Sequence, residues 1–193
     1  MAVLTLKRKL LIALALVLLL GAAVGGAFLF DDQLQFKVTG KHQMFELEGQ
    51  LAPAFTAPLL GTSETVSLSD VRGKPTMLVF FASFCPVCKV QMPVVQELIR
   101  TSDIADEVNI YGVNGHEYNR YPIAARARRL QRHMREEGLE DIPALVAPVE
   151  MQEAFKLSAV PSIVVLDRDG RVSYVGLSNH SGERLESLLR DVL

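Results

Sequence analysis

The stretch Thr76-Met77-Leu78-Val79-Phe80-Phe81-Ala82-Ser83-Phe84-Cys85-Pro86-Val87-Cys88 decides how this chain folds. Its first six residues, Thr76 to Phe81, are a nearly unbroken apolar run, the pattern of a short strand buried on both faces. From Val87 to Arg100 the pattern turns helical, with apolar residues at Val90, Val94, Leu98 and Ile99 and an expected kink at Pro93. The Cys-Pro-Val-Cys segment therefore lies where a buried strand gives way to a helix. A thiolate at that point meets unpaired backbone N–H groups and the positive end of the helix dipole. Such a setting lowers a thiol's pKa, and the thiolate is the form that attacks a disulfide. Pro86 suits the first helical turn, where a missing N–H costs nothing.

The expected chemistry is dithiol exchange. Cys85, nearer the helix start and the surface, is the nucleophile that enters a mixed disulfide. Cys88, one turn further in, resolves it, and the spacing puts both sulfurs on one helix face within reach of a bond. The chain holds only 2 cysteines. Neighbours cannot staple distant segments, and so small a loop restrains the unfolded chain little, which points to a working disulfide rather than a structural one. That disulfide is the redox group, and no other cofactor is expected. A zinc site lacks a second cysteine pair, and His42, His116, His133 and His180 are dispersed without ligand spacing, so no metal site is assigned. A copper carrier using the same two cysteines is the alternative reading.

Working outward, Val66-Ser67-Leu68 with Ser69-Asp70 suggests a short strand running into a helix start. Val108 to Val113 reads as a second buried strand, and Pro122 to Glu137 as a helix ended by Gly138. Ala144 to Val149 contributes a short extended stretch, followed by a helix from about Glu150 to Phe155. Ile163 to Leu166 is a third strand, with a hairpin turn at Asp169-Gly170 before Arg171 to Val175. The chain closes in an amphipathic helix, Gly182 to Leu193. Strands alternating with helices, then a hairpin and a last helix, predict an α/β fold with a mixed sheet covered on both sides.

Toward the N-terminus, Lys7, Arg8 and Lys9 precede an uncharged apolar run from Leu10 to Phe30. As a helix, about 21 residues would span about 31 Å, matching a bilayer core. Basic residues before it, and Asp31 and Asp32 after it, predict a single-pass anchor over 10–30. Residues 1–9 would then form a cytoplasmic tip, with the remainder outside the cytoplasm at the inner membrane. A cleaved signal peptide is the competing reading, since Leu10 to Leu20 has the right length and Gly21 to Ala27 is rich in small residues. Residues 31–50 read as a stalk or linker that could lay a strand or helix turn on the domain, and 51–193 as the folded domain. A net charge of −2 over 193 residues gives no basic footprint for nucleic acid.

Ala52-Pro53-Ala54-Phe55-Thr56, Val66-Ser67-Leu68-Ser69-Asp70, Arg72-Gly73-Lys74-Pro75 and Phe80 through Cys88 resemble the TlpA/ResA/CcmG group of membrane-anchored thioredoxin-like proteins. The resemblance runs from about Leu51 to the C-terminus and includes Pro93 and the pair Val160-Pro161. It implies a thioredoxin-like three-layer fold around a mixed central sheet. It also implies that the Val160-Pro161 bond is cis, although a proline at a strand start is ordinarily trans. Val160 and Pro161, with Pro86 and Val87 of the motif, then become the substrate-docking residues. The group reduces protein disulfides outside the cytoplasm, often in cytochrome c maturation or metal-centre assembly, with electrons supplied by a donor in the membrane. The motif and the C-terminal residues Gly176-Leu177 to Leu188 are also similar to methylamine dehydrogenase accessory proteins.

Three departures bear on mechanism. The position of the buried acid of thioredoxins, six before Cys85, is Val79. The position three after Cys88, often acidic in this group, is Gln91, and Phe81 and Phe84 stand where a tryptophan is common. No local base for Cys88 is evident, since Glu97 lies about three turns from Cys85. Elsewhere, Arg126, Arg128, Arg129, Arg132 and Arg135 crowd one helix whose apolar stripe is Ile123, Ala127, Leu130 and Met134. They are expected on a solvated outer face. His116 and Glu117, after a strand end, are given no role.

Overall fold

The computed structural model describes residues 43–116 and 121–193. The basic tip, the run over 10–30, most of the 31–50 stalk, and Glu117 lie outside them. Among the described residues no helix is long and apolar enough to cross a membrane.

A 3₁₀ turn, Gln43–Leu47, leads into β1 (Thr56–Pro58), β2 (Thr65–Ser67), α1 (Leu68–Val71) and β3 (Thr76–Phe81). Then come α2 (Pro86–Thr101), β4 (Asn109–Asn114), α3 (Ile123–Glu136), β5 (Ala144–Val146), α4 (Val149–Ala154), β6 (Ser162–Leu166), β7 (Val172–Leu177) and α5 (Gly182–Arg190). The central sheet runs β5-β4-β3-β6-β7, and β1 and β2 form a separate antiparallel hairpin. β3 pairs in parallel with β4 and antiparallel with β6, so the sheet is mixed, as expected.

β3 is buried along its whole length because layers cover both faces of the sheet, and its alternating side chains sort between them. Met77, Val79 and Phe81 join one core with Met92 and Val95 of α2, Leu130 and Met134 of α3, and Leu185 and Leu189 of α5. Leu78 and Phe80 join the other, with Phe55, Phe155 and the N-terminal turn. α3 ends where Gly138 takes φ +65, a left-handed conformation that favours glycine.

One expectation left open is filled in and one changes. Met44 is wholly buried and Leu47 nearly so, the backbone N–H of Gly49 donates to Val172 O, and that of Val172 donates to Gln50 O. The last part of the stalk, from Gln43, thus lays a helical turn on the domain. In α3 the buried stripe is Arg126, Leu130 and Met134, with Ile123 exposed. Arg126 leaves the outer face because its guanidinium Nη2 reaches the Ala147 carbonyl at 2.5 Å, its aliphatic stem packing inward. Arg128, Arg129, Arg132 and Arg135 stay exposed.

Candidate functional site

Cys85 is the residue just before α2, with extended backbone (φ −86, ψ 113). Proline disfavours helical backbone in the residue it follows, and Pro86 is itself shaped for the first turn, so the sequence fixes the helix start at this point. The Cys88 backbone N–H donates to Cys85 Sγ at 3.2 Å, placing the outer sulfur over the open end of the helix. Both cysteines are free thiols.

The second wall comes from the far end of the chain. β3 and β6 are antiparallel neighbours with Phe80 opposite Ser162. The end of β3 that carries the motif therefore meets the start of β6, which follows Val160-Pro161. That peptide bond is cis, as the resemblance implies. Cys85 Sγ donates to the Val160 carbonyl at 3.5 Å. The loop is held by Ser162 Oγ donating to Ala159 O at 2.7 Å and by Ser178 N–H donating to Pro161 O at 3.0 Å.

The two sulfurs differ in surroundings. Cys85 is bordered by the exposed residues Phe84, Pro86 and Val87, with Val90 a turn further along. Cys88 is 1% exposed. Burial, and then the hydrogen bond with Cys85, push the Cys88 thiol up to about 12. Attack by Cys88 therefore depends on a route for its proton.

Neither family position offers that route. Val79 is buried in β3. Gln91 is fully buried and spent on a tether: its Nε2 donates to His180 O at 3.2 Å and its Oε1 accepts from His180 N–H at 2.6 Å. An amide does both jobs at neutral pH, whereas a carboxylate can only accept. The His180 ring meanwhile bonds the Tyr174 hydroxyl at 2.7 Å. The His116 N–H donates to Gln152 Oε1, which fixes the loop after β4.

What opens onto Cys88 is a cleft of about 20 Å³ between α2 and α3, lined among others by Phe81, Cys88, Lys89, Met92, His133 and Glu137. Lys89 Nζ and Glu137 Oε1 pair at 2.7 Å. The hydrogen bond from Lys89 holds the Glu137 carboxyl below the usual carboxylate range, helped by the nearby positive charge of Lys89. The His133 ring stacks at a tilt on Phe81, with centroids 6.5 Å apart. Sequence reasoning passed over these residues, yet a signal existed. His133 and Glu137 lie at helical spacing beside the buried Arg126-Leu130-Met134 stripe, at its edge. Among the described residues, no three or more His, Cys, Asp or Glu side chains gather to hold a metal ion.

Comparison with known proteins places this geometry among relatives. Residues 47–193 match the family described as Redoxin. The methylamine utilization protein MauD of Paracoccus versutus is 30% identical over 142 residues, covering 73% of this chain and 64% of that protein. This chain thus spans a little under two thirds of that relative's length. The thiol-disulfide oxidoreductase ResA of Bacillus thuringiensis is 22% identical over 191 residues, covering 96% of this chain and 98% of that one. Among solved structures, a thioredoxin-family thiol:disulfide interchange protein from Chlorobium tepidum superposes with a TM-score of 0.60 at 20% identity, over 73% of this chain and 94% of that one. At that identity the likeness establishes the shared thioredoxin-like fold.

Proposed function

The chain belongs to the Redoxin family and is a thiol–disulfide oxidoreductase, and from that premise we propose that Cys85 and Cys88 form its reacting couple. Its task in this reading is to reduce disulfides of exported proteins outside the cytoplasm, with residues 10–30 holding it to the membrane. One observation carries the assignment: Cys85 Sγ sits at the start of α2, 3.5 Å from the carbonyl of the cis Val160-Pro161 peptide. That arrangement sets the outer sulfur of the pair beside a backbone carbonyl on which a substrate strand can pair.

In the cycle, the Cys85 thiolate attacks a substrate disulfide. One substrate sulfur leaves as a thiolate and the other stays bonded to Cys85. Cys88 then attacks Cys85 Sγ, the mixed disulfide breaks, and the second substrate sulfur leaves. The substrate gains two electrons and the Cys85–Cys88 pair loses them. Val160, Pro161, Pro86 and Val87 border the sulfur that meets the substrate and hold its backbone and apolar flanks. The reducing direction, a membrane electron donor that restores the dithiol, and substrates in cytochrome c maturation or metalloenzyme assembly follow the group that the sequence resembles.

The test is trapping. Cys88→Ser protein should accumulate a covalent adduct with a disulfide-bearing substrate that collapses on adding dithiothreitol, while Cys85→Ser should give none. Equal trapping by both variants, or by neither, contradicts the assigned roles.

A further inference from the structure

Resting on the exchange reading above, we propose that His133 takes the proton of Cys88 through a single water in the α2–α3 cleft, with Glu137 and Lys89 positioning and polarising the imidazole. Three observations converge on this relay. Cys88 is 1% exposed, so its proton has no direct exit to bulk solvent. The cleft that reaches it has a volume of about 20 Å³, enough for one water and little more. Its polar lining is Cys88 itself, Lys89, His133 and Glu137, which supplies the two to four partners an enclosed water needs.

The side chains fit the roles. Imidazole is the group whose ordinary proton affinity lies near neutrality, suited to accept and return a proton. Phe81 flanks the ring, and Glu137, the residue that caps the end of α3 four positions after His133, keeps its negative charge through the Lys89 pair. That charge favours the imidazolium formed when the proton arrives. Burial of Cys88, the second cysteine near it and the cationic Lys89 are the other groups acting on the site. In the step, the Cys88 S–H proton passes to the water as the water's own proton passes to His133. The sulfur's electron pair forms the bond to Cys85 Sγ, and the substrate sulfur departs as thiolate. The imidazolium later yields its proton to solvent at the cleft mouth. The base that Val79 and Gln91 do not supply thus comes from a different helix.

Rapid mixing of the reduced protein with dithiobis-nitrobenzoate separates the two thiols. Attack by Cys85 releases a first coloured thiolate, and resolution by Cys88 releases a second. In the unsubstituted protein the second phase should climb with pH less steeply than tenfold per unit. His133→Ala should slow that phase about 10²-fold, turn its profile into a tenfold climb per pH unit into the alkaline range, and be rescued by added imidazole. Glu137→Gln should slow the second phase more than the first. His133→Gln, which fills the site, should repeat the loss if the alanine variant proves unstable. The relay is overturned if the second phase keeps its rate and profile in both His133 variants, or if both phases fall together without rescue. Absence of the first phase from the unsubstituted protein would overturn the exchange reading itself, and the relay with it.

Discussion

Replacing Gln91 by glutamate puts an acid three residues after Cys88, and the structure predicts harm rather than help. The Gln91 amide both donates to and accepts from the His180 backbone, and the side chain is fully buried. A carboxylate keeps the bond from His180 N–H but faces the His180 carbonyl with no proton to share. A buried carboxylate's pKa can rise by as much as 3–5 units, and each unit is worth about 1.4 kcal/mol. The retained N–H bond offsets part of that, leaving a cost at neutral pH of about 3 kcal/mol. Protonation restores a donor, so the sign with pH is definite. The new group's folded-state pKa is raised above its unfolded value. The variant therefore holds its stability below the ordinary carboxylate range and loses it as pH rises through the folded-state value. Urea unfolding of both proteins at about pH 3.5 and about pH 7.5, on either side of the ordinary carboxylate range, measures the effect. A variant as stable as the parent at the higher pH, with faster release of mixed disulfide, would refute the tether and return position 91 to proton transfer.

Met44→Ala should cost about 2–5 kcal/mol in urea unfolding, because Met44 is wholly buried in the core under the sheet; a loss near zero would return residues 43–50 to a stalk. Gly176→Ala should destabilise by about 1–3 kcal/mol, since a Cβ there would lie 2.7 Å from the Tyr174 hydroxyl and 2.8 Å from His180 Cε1; thermal melts check it. Cys88 binds its proton more tightly folded than unfolded. The dithiol protein should hold its full stability below the ordinary thiol range, about 8.5, and lose it as pH rises toward about 12. Unfolding curves at neutral and alkaline pH should show that loss in the dithiol form and not in the disulfide form.

How much the sequence disclosed depended on whether its signal was local. Thr76–Phe81 was legible to the residue, because a strand covered on both faces must be apolar throughout. The start of α2 was legible because Pro86 constrains both itself and Cys85. β1 escaped: three residues ending in Pro58 carry no periodicity. Met44 and Leu47 stood among polar residues, and only the fold shows that they pack under β7. Arg126 read as a surface charge by type, and its burial follows from a carbonyl 21 residues away. The cysteines and the Val160-Pro161 pair were named from a motif and a resemblance. The partners His133 and Glu137 depend on how α3 lies against α2, a tertiary fact with only a helical stripe to hint at it.

The most direct test of the account is the equilibrium of the Cys85–Cys88 couple in glutathione and dithiothreitol buffers, read by thiol alkylation. The account predicts one reversible two-electron transition with a midpoint toward the thioredoxin end of the scale, about −270 mV. Failure to form the intramolecular disulfide at any poise would contradict dithiol exchange, and a midpoint near about −120 mV would contradict the reducing role.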